Sequence, residues 1–208
     1  MLVVKQLHVS YLPNVYVLTD VNLTFEAGFH VVTGMGKTTL LQLLAGLNNT
    51  YSGQIMYEDA PLKKMNRERY RSQVVGLGLS EFGLVETHTV AENLQERLAI
   101  GKVKWKARQE KMAEALGLVE VETGVLNTAV KELPLETREA VALAVAMVHG
   151  PRILLIDEPS LRWVPSLKQY AAAALGRCVI VTAKNLDGFT QEMIHFLKRP
   201  EESRGNNE

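Results

Sequence analysis

Short apolar alternations open the chain. Leu2, Val4, Leu7 and Val9, then Val17, Val21, Leu23 and Phe25, predict strands over 1–11 and 15–25, with Pro13-Asn14 as the turn between them. An apolar run at 29–32 enters a glycine-containing turn, Thr33-Gly34-Met35-Gly36. Behind it, leucines at 40, 41, 43, 44 and 47 are helically spaced, which predicts a helix over 37–47 and a stop at Gly46 and Asn48-Asn49. A further strand is expected at 54–57. From about 89 to 146 the pattern predicts helices at 90–100, 106–116 and 136–148, with acidic and basic side chains alternating on their polar faces. The last third returns to strands. Residues 152–157 carry Ile153, Leu154, Leu155 and Ile156, an unbroken run of the kind buried on both faces, and 178–182 repeats that character after an alanine-rich helix at 170–175. The order predicts an α/β domain, a mixed sheet with flanking helices, into which a helical subdomain is inserted. Its boundaries read as a core of 1–80 and 149–197, a helical subdomain of 81–148, and a polar tail of 198–208 whose end frays.

Composition narrows the class. Of 208 residues, 47% are apolar and 22% charged, which excludes disordered, collagen-like and disulfide-scaffold chains and fits one domain. Basic and acidic residues number 23 each, so net charge gives no electrostatic case for nucleic acid or an acidic membrane surface as partner. Cys178 is the single cysteine, which fits a reducing compartment. No run approaches the roughly 18–20 apolar residues of a spanning helix, and the start lacks the pattern of a signal peptide. The expectation is a cytoplasmic protein that reaches a membrane only by docking on another protein.

Two stretches carry chemistry. In Gly34-Met35-Gly36-Lys37-Thr38-Thr39, glycines let backbone amides close around phosphate oxygens while the following helix points its positive end at them. Lys37 would reach the β- and γ-phosphates and the Thr38 hydroxyl would ligate magnesium. Gly-Lys-Thr is also an ordinary turn before a helix, so the far stretch matters. Ile153-Leu154-Leu155-Ile156-Asp157-Glu158-Pro159 is an apolar strand ending in two carboxylates. The first can sit on magnesium and the second near the γ-phosphate, where it polarises an attacking water. The five histidines have no metal spacing, Cys178 and Trp163 read as packing residues, and the basic residues around Trp105 read as a solvated helix start.

With both stretches quoted, the chain resembles the nucleotide-binding subunit of an ABC (ATP-binding cassette) transporter. Gly-Lys-Thr-Thr-Leu-Leu-Gln-Leu-Leu-Ala-Gly-Leu and Ile-Leu-Leu-Ile-Asp-Glu-Pro-Ser match that family's Walker A and Walker B motifs, and the likeness runs from about residue 2 to 184. Tyr11 falls where the family stacks an aromatic on adenine. The stretch 76–94, with Phe82, Leu84, Thr89-Val90 and Glu92-Asn93-Leu94, is similar to lipoprotein-releasing, macrolide-exporting and peptide-resistance exporters.

The likeness has gaps. Taking Gly34 as the first glycine leaves the phosphate loop three residues short of Gly-x-x-x-x-Gly-Lys-Thr. Two explanations stand open: a short loop with fewer amides and weak ATP binding, or a stretch missing from the numbering. Ser80 stands in place of the lid glutamine, and Ala183 in place of the histidine that holds the γ-phosphate. Val164 replaces an aspartate, and the helix before Cys178 looks about two turns short. Leu133-Pro134-Leu135-Glu136-Thr137 stands where the family has the Leu-Ser-Gly-Gly-Gln signature that grips the opposite subunit's γ-phosphate.

The resemblance implies a P-loop NTPase core and Mg-ATP as the cofactor pair, bound by Gly34, Gly36, Lys37, Thr38, Thr39 and Asp157, with Tyr11 on adenine. Thr38 and Asp157 would hold Mg2+, and Glu158 would be the general base of ATP hydrolysis. It implies two partners, a membrane permease subunit and a second ABC ATPase subunit in a homo- or heterodimer, with the protein peripheral on the inner face of the cell membrane. The permease's coupling helix would dock near 80–82. The degenerate signature allows two readings: one half of an unequal pair, or a non-hydrolysing scaffold that keeps only the fold. A cassette ATPase without a permease is a third class, which the neutral charge and the stretch 76–94 disfavour.

Overall fold

The alternation at the start of the chain folds as a long hairpin. A computed structural model describes residues 1–12, 15–78, 83–187, 189–190 and 194–198. Strands β1 (Leu2–Leu12) and β2 (Val15–Phe25) pair antiparallel, with Leu2 opposite Phe25 and Val4 opposite Leu23. The turn at 13–14 and the tail lie outside the described residues. Four elements follow: β3 (Gly28–Gly34), α1 (Lys37–Leu44), β4 (Ser52–Tyr57) and β5 (Ala60–Pro61). They complete a four-stranded sheet of order β2-β1-β4-β5, whose buried face carries Leu2, Val4, Leu7, Leu18, Phe25 and Ile55. Polar residues take the alternate positions, as expected of an antiparallel sheet wet on one side.

The remaining elements are α2 (Arg67–Arg69) with a π-helical turn over Tyr70–Val74, β6 (Val75–Gly78), α3 (Val90–Ile100), α4 (Trp105–Leu118), α5 (Leu135–Met147), β7 (Ile153–Ile156), α6 (Val164–Ala172), β8 (Cys178–Thr182) and β9 (Ile194–Leu197). The second sheet runs β6-β7-β8-β3-β9 with every pairing parallel. Central β7 and β8 are buried at every residue, which is why their sequences are unbroken apolar runs. Strand periodicity divides them between two cores. Ile153 and Leu155 face α1 and the hairpin sheet, whereas Leu154 and Ile156 face the layer of α3, α4, α5 and α6.

Sequence pattern and structure agree on α3, β2 and β8 to the residue. The α3 start is fixed by a capping box, in which Thr89 and Glu92 answer each other's backbone amides. Helix α6 departs from expectation. It begins at Val164, six positions before the expected start at 170, with Pro165 in its first turn, and ends at Ala172, part-way through the alanines that suggested it.

Two histidine contacts matter below. Arg97, half-buried on α3, donates to the carbonyls of Ser72 and Val75 and to His149 Nε2 at 2.8 Å, tying the π-helical turn to the end of α5. Burial, reinforced by Arg97, pulls His149 down to about 3, so it stays neutral. On β3 and β9, His30 Nδ1 and His195 Nε2 lie 3.1 Å apart, and burial lowers both. Cys178 is buried, and that burial pushes its thiol up to about 12.

Candidate functional site

Three parallel strands, β3, β7 and β8, end beside the start of α1, the position where open α/β sheets hold ligands. β3 stops at Gly34 and α1 starts at Lys37, so Met35-Gly36 alone joins them. Gly34 and Gly36 adopt φ of +104° and +81°, the left-handed region that favours glycine. A Cβ on Gly36 would lie 2.6 Å from Leu18 Cδ2 and 2.9 Å from the Val17 carbonyl oxygen, and one on Gly34 would overlap the Leu197 carbonyl oxygen. The turn is thus pressed between β2 and β9. Leu40, Leu41, Leu43 and Leu44 bury one face of α1 and hold the helix there. The amides of its first turn have no intrahelical partners, and neither a capping side chain nor an acidic residue answers them.

Asp157 follows β7 and is 7% exposed. Its carboxylate accepts from the Thr38 hydroxyl at 3.0 Å and from the Thr182 hydroxyl at 2.6 Å, while its own amide donates to the Gly78 carbonyl. Hydroxyl donors offset much of the cost of burying that charge. Thr38 and Asp157 present hard oxygens side by side, a donor set suited to a magnesium ion that keeps several of its waters.

Glu158 sits at φ +50°, an uncommon backbone for a residue with a Cβ, and its amide donates to the Thr182 hydroxyl at 2.9 Å. Its carboxylate bridges two ammonium groups, Lys37 Nζ at 3.0 Å and Lys184 Nζ at 2.8 Å. Partial burial pushes this carboxyl up, but Lys184 and Lys37 together outweigh it and leave Glu158 below the ordinary range. Tyr11 stands at the rim with its hydroxyl 3.3 Å from Thr39 Oγ1 and most of its ring exposed.

Opposite the strand ends, α5 starts with an exposed Leu135 behind Pro134. Its charged side chains are answered within the chain. Glu136 meets Arg162 at 2.9 Å, Arg138 donates to the Leu133 carbonyl at 3.0 Å, and Glu139 accepts from the amide and hydroxyl of Ser160 at 2.9 and 2.8 Å. A cleft of about 290 Å³ separates the two sides, lined among others by Leu135, Glu139, Ile156, Glu158 and Ser160.

The structure therefore gathers Gly34, Gly36, Lys37, Thr38, Thr39, Asp157 and Glu158 at one place, with Tyr11 at its edge. Ser80, Phe82 and the docking groove expected around them lie outside the described residues. Sequence reasoning missed Thr182 and Lys184. Thr182 was legible in principle, as the polar residue ending a buried strand parallel to 153–156, whereas Lys184 carries no local signal. Ala183 is buried, with its amide on the Val32 carbonyl, and offers no polar side chain.

A family model described as ABC transporter matches residues 18–161, a span that holds both the turn at Gly34–Thr38 and the carboxylates at 157 and 158. The chain belongs to the ABC transporter family. Among solved structures, the dimeric bacterial ABC transporter cassette MJ0796 is similar in fold, with a TM-score of 0.81 and 21% identity over 95% of this chain and 94% of that one. MJ0796 in a post-hydrolysis state bound to ADP and Pi superposes with a TM-score of 0.81 at 20% identity. CbiO1 from Clostridium perfringens, part of the ABC transporter complex cbiONQ, matches with a TM-score of 0.80 and 19% identity over 95% of this chain and 84% of its own. The fold is that of an ABC ATPase cassette, a P-loop α/β core with flanking helices. Among the described residues, no helix of this cassette is long and apolar enough to cross a membrane.

Proposed function

We propose that this cassette is the ATP-binding subunit of an ABC transporter, coupling Mg-ATP to a separate membrane permease from the inner face of the membrane. The observation that carries this reading is the convergence of Lys37, Thr38, Asp157 and Glu158 at the first turn of α1. In it, Lys37 and the first amides of α1 bind the β- and γ-phosphates, and Tyr11 takes the adenine face. Thr38 and Asp157 hold magnesium, which when bound neutralises phosphate charge as hydrolysis proceeds. Thr182 fixes the Asp157 carboxylate and the Glu158 backbone, and Glu158 accepts the proton of the attacking water. Likeness in the stretch 76–94 supports an exporter as the partner.

The start of α5 favours an unequal pair. Leu135 lacks glycine's freedom, and Glu136 brings a negative charge to the point where a partner's phosphates would approach, so two copies of this chain make two poor composite sites. A partner cassette with an intact signature completes the Lys37 site, and the chain alone turns over slowly. The other reading, a non-hydrolysing scaffold, draws support from Glu158 being engaged by two lysines.

Magnesium-dependent ATP titration by calorimetry, with Lys37→Ala alongside, tests the proposal. Saturable binding that the variant loses is expected. No binding by either chain, with identical melting in the presence and absence of Mg-ATP, overturns it and leaves the scaffold, because a ligand of the folded state must stabilise that state.

A further inference from the structure

The Glu158 carboxylate holds two lysines at once, and the two differ. Lys37 is rooted at the head of α1 with its side chain 17% exposed, whereas the Lys184 side chain is 78% exposed and reaches in from the segment after β8. An ion pair with one partner so open to water adds little to folding, so stability gives little reason for a lysine at 184. The arrangement is instead that of an anion site already filled. One oxygen lies on each ammonium, as two oxygens of a phosphate would, and the backbone aiming the carboxylate is fixed by the hydrogen bond that the Glu158 amide donates to the Thr182 hydroxyl. Charge also argues for it. The Met35-Gly36 connection leaves few amides for phosphate, and Ala183 brings no polar side chain, so without Lys184 the cationic side chain left for the terminal phosphate is Lys37, itself paired with Glu158.

Building on the nucleotide reading above, we infer that Lys184 is a second phosphate-binding residue, exchanging the Glu158 carboxylate for the terminal phosphate of a bound nucleoside triphosphate. Glu158 then serves as a resident anion that keeps the two lysines together until phosphate displaces it. Lys37 stays within the first turn of α1 throughout, and Lys184 moves with the ligand. The exchange makes Lys184 selective, because it addresses the terminal phosphate of a triphosphate and has no such group to hold in a diphosphate.

Calorimetric titration of Mg-ATP and Mg-ADP into the full chain and its Lys184→Ala, Lys184→Arg, Glu158→Gln and Lys37→Ala variants tests this. Lys184→Ala is expected to weaken ATP roughly tenfold, the loss of one charge-assisted contact, while ADP changes little. Lys184→Arg restores ATP affinity, and Glu158→Gln tightens it by removing the competing anion. Thermal melting without nucleotide stays the same for Lys184→Ala, which separates ligand binding from folding. Unchanged ATP affinity in Lys184→Ala, with binding abolished in Lys37→Ala, overturns the role of Lys184 and leaves the nucleotide site standing. Equal losses for ATP and ADP overturn its assignment to the terminal phosphate. No saturable binding by the unsubstituted chain removes both readings together.

Discussion

The strand-end side of the cleft and the start of α5 face each other across about 290 Å³ and handle their polar groups in opposite ways. On the strand-end side, oxygens and charges converge on space: Thr38 and Thr182 crowd one carboxylate, two lysines share the next, and the first amides of α1 have no partner in the helix. At the α5 start the charged side chains are answered nearby, Glu136 by Arg162, Glu139 by Ser160 and Arg138 by the Leu133 carbonyl, although its first amides have no side-chain cap either. One side gathers charged and hydroxyl groups into a single cluster, and the other holds its charges in separate local pairs. The unequal pair proposed above rests on this difference.

The strongest way to break that contrast is to remove what the receiving side stands on. Leu41→Ala, at a fully buried position of α1, is expected to cost about 2–5 kcal/mol in urea unfolding and to lower nucleotide affinity by loosening the turn before the helix. A loss below about 1 kcal/mol would mean that the helix is held by something other than its leucines. Thr182→Val keeps the shape but takes a donor from Asp157 and an acceptor from the Glu158 amide. Roughly 1–3 kcal/mol of destabilisation is expected, with magnesium-dependent ATP binding impaired more than the melting temperature alone would suggest.

Acid tests the far end of α5. Folded His149 remains neutral down to about 3, while an unfolded histidine protonates near 6.5. Below about 6.5 the unfolded chain therefore binds more protons, and stability falls as pH drops, by about 2 kcal/mol at pH 5. His30 and His195, both lowered by burial, act in the same direction. In His149→Gln, which keeps an acceptor for Arg97 and does not titrate, the difference between urea midpoints at pH 7.5 and pH 5.0 should shrink. Because His149 follows α5, hydrogen exchange in acid should rise at the end of α5 before it rises in β8. The smallest effect belongs to Glu136→Ala. Its exposed pair with Arg162 is worth no more than about 1 kcal/mol, and a larger loss would mean that the α5 start is structurally committed rather than merely self-satisfied.

How far the letters carried depended on whether the signal was local. β8 could be bounded exactly because Cys178–Thr182 is an apolar run stopped by a change of character, and α3 because its capping box is written in Thr89 and Glu92. β6 went unread because Gly76 and Gly78 look like turn residues; Gly76 is needed where the strand backs onto the Ala146 carbonyl of α5. The alanines at 171–174 drew α6 too far along the chain, although Pro165 already marked its start. In the site, the motif residues at 34–39 and 157–158 announced themselves by spacing. Thr182 and Lys184 did not, since their roles depend on β8 lying between β7 and β3, a neighbourhood set by the whole fold.

Gly34 has a consequence beyond the turn it makes. It closes β3 against Leu197 of β9, the outermost strand of the parallel sheet, at a separation that no side chain would fit. Any substitution there would pry β9 from the sheet and bare the hydrogen-bonding rim of β3, an invitation to strand pairing between molecules. The residue that opens the turn before α1 also holds β9 against β3. Damage at Gly34 should therefore show first as insoluble protein, before any loss of ligand can be measured.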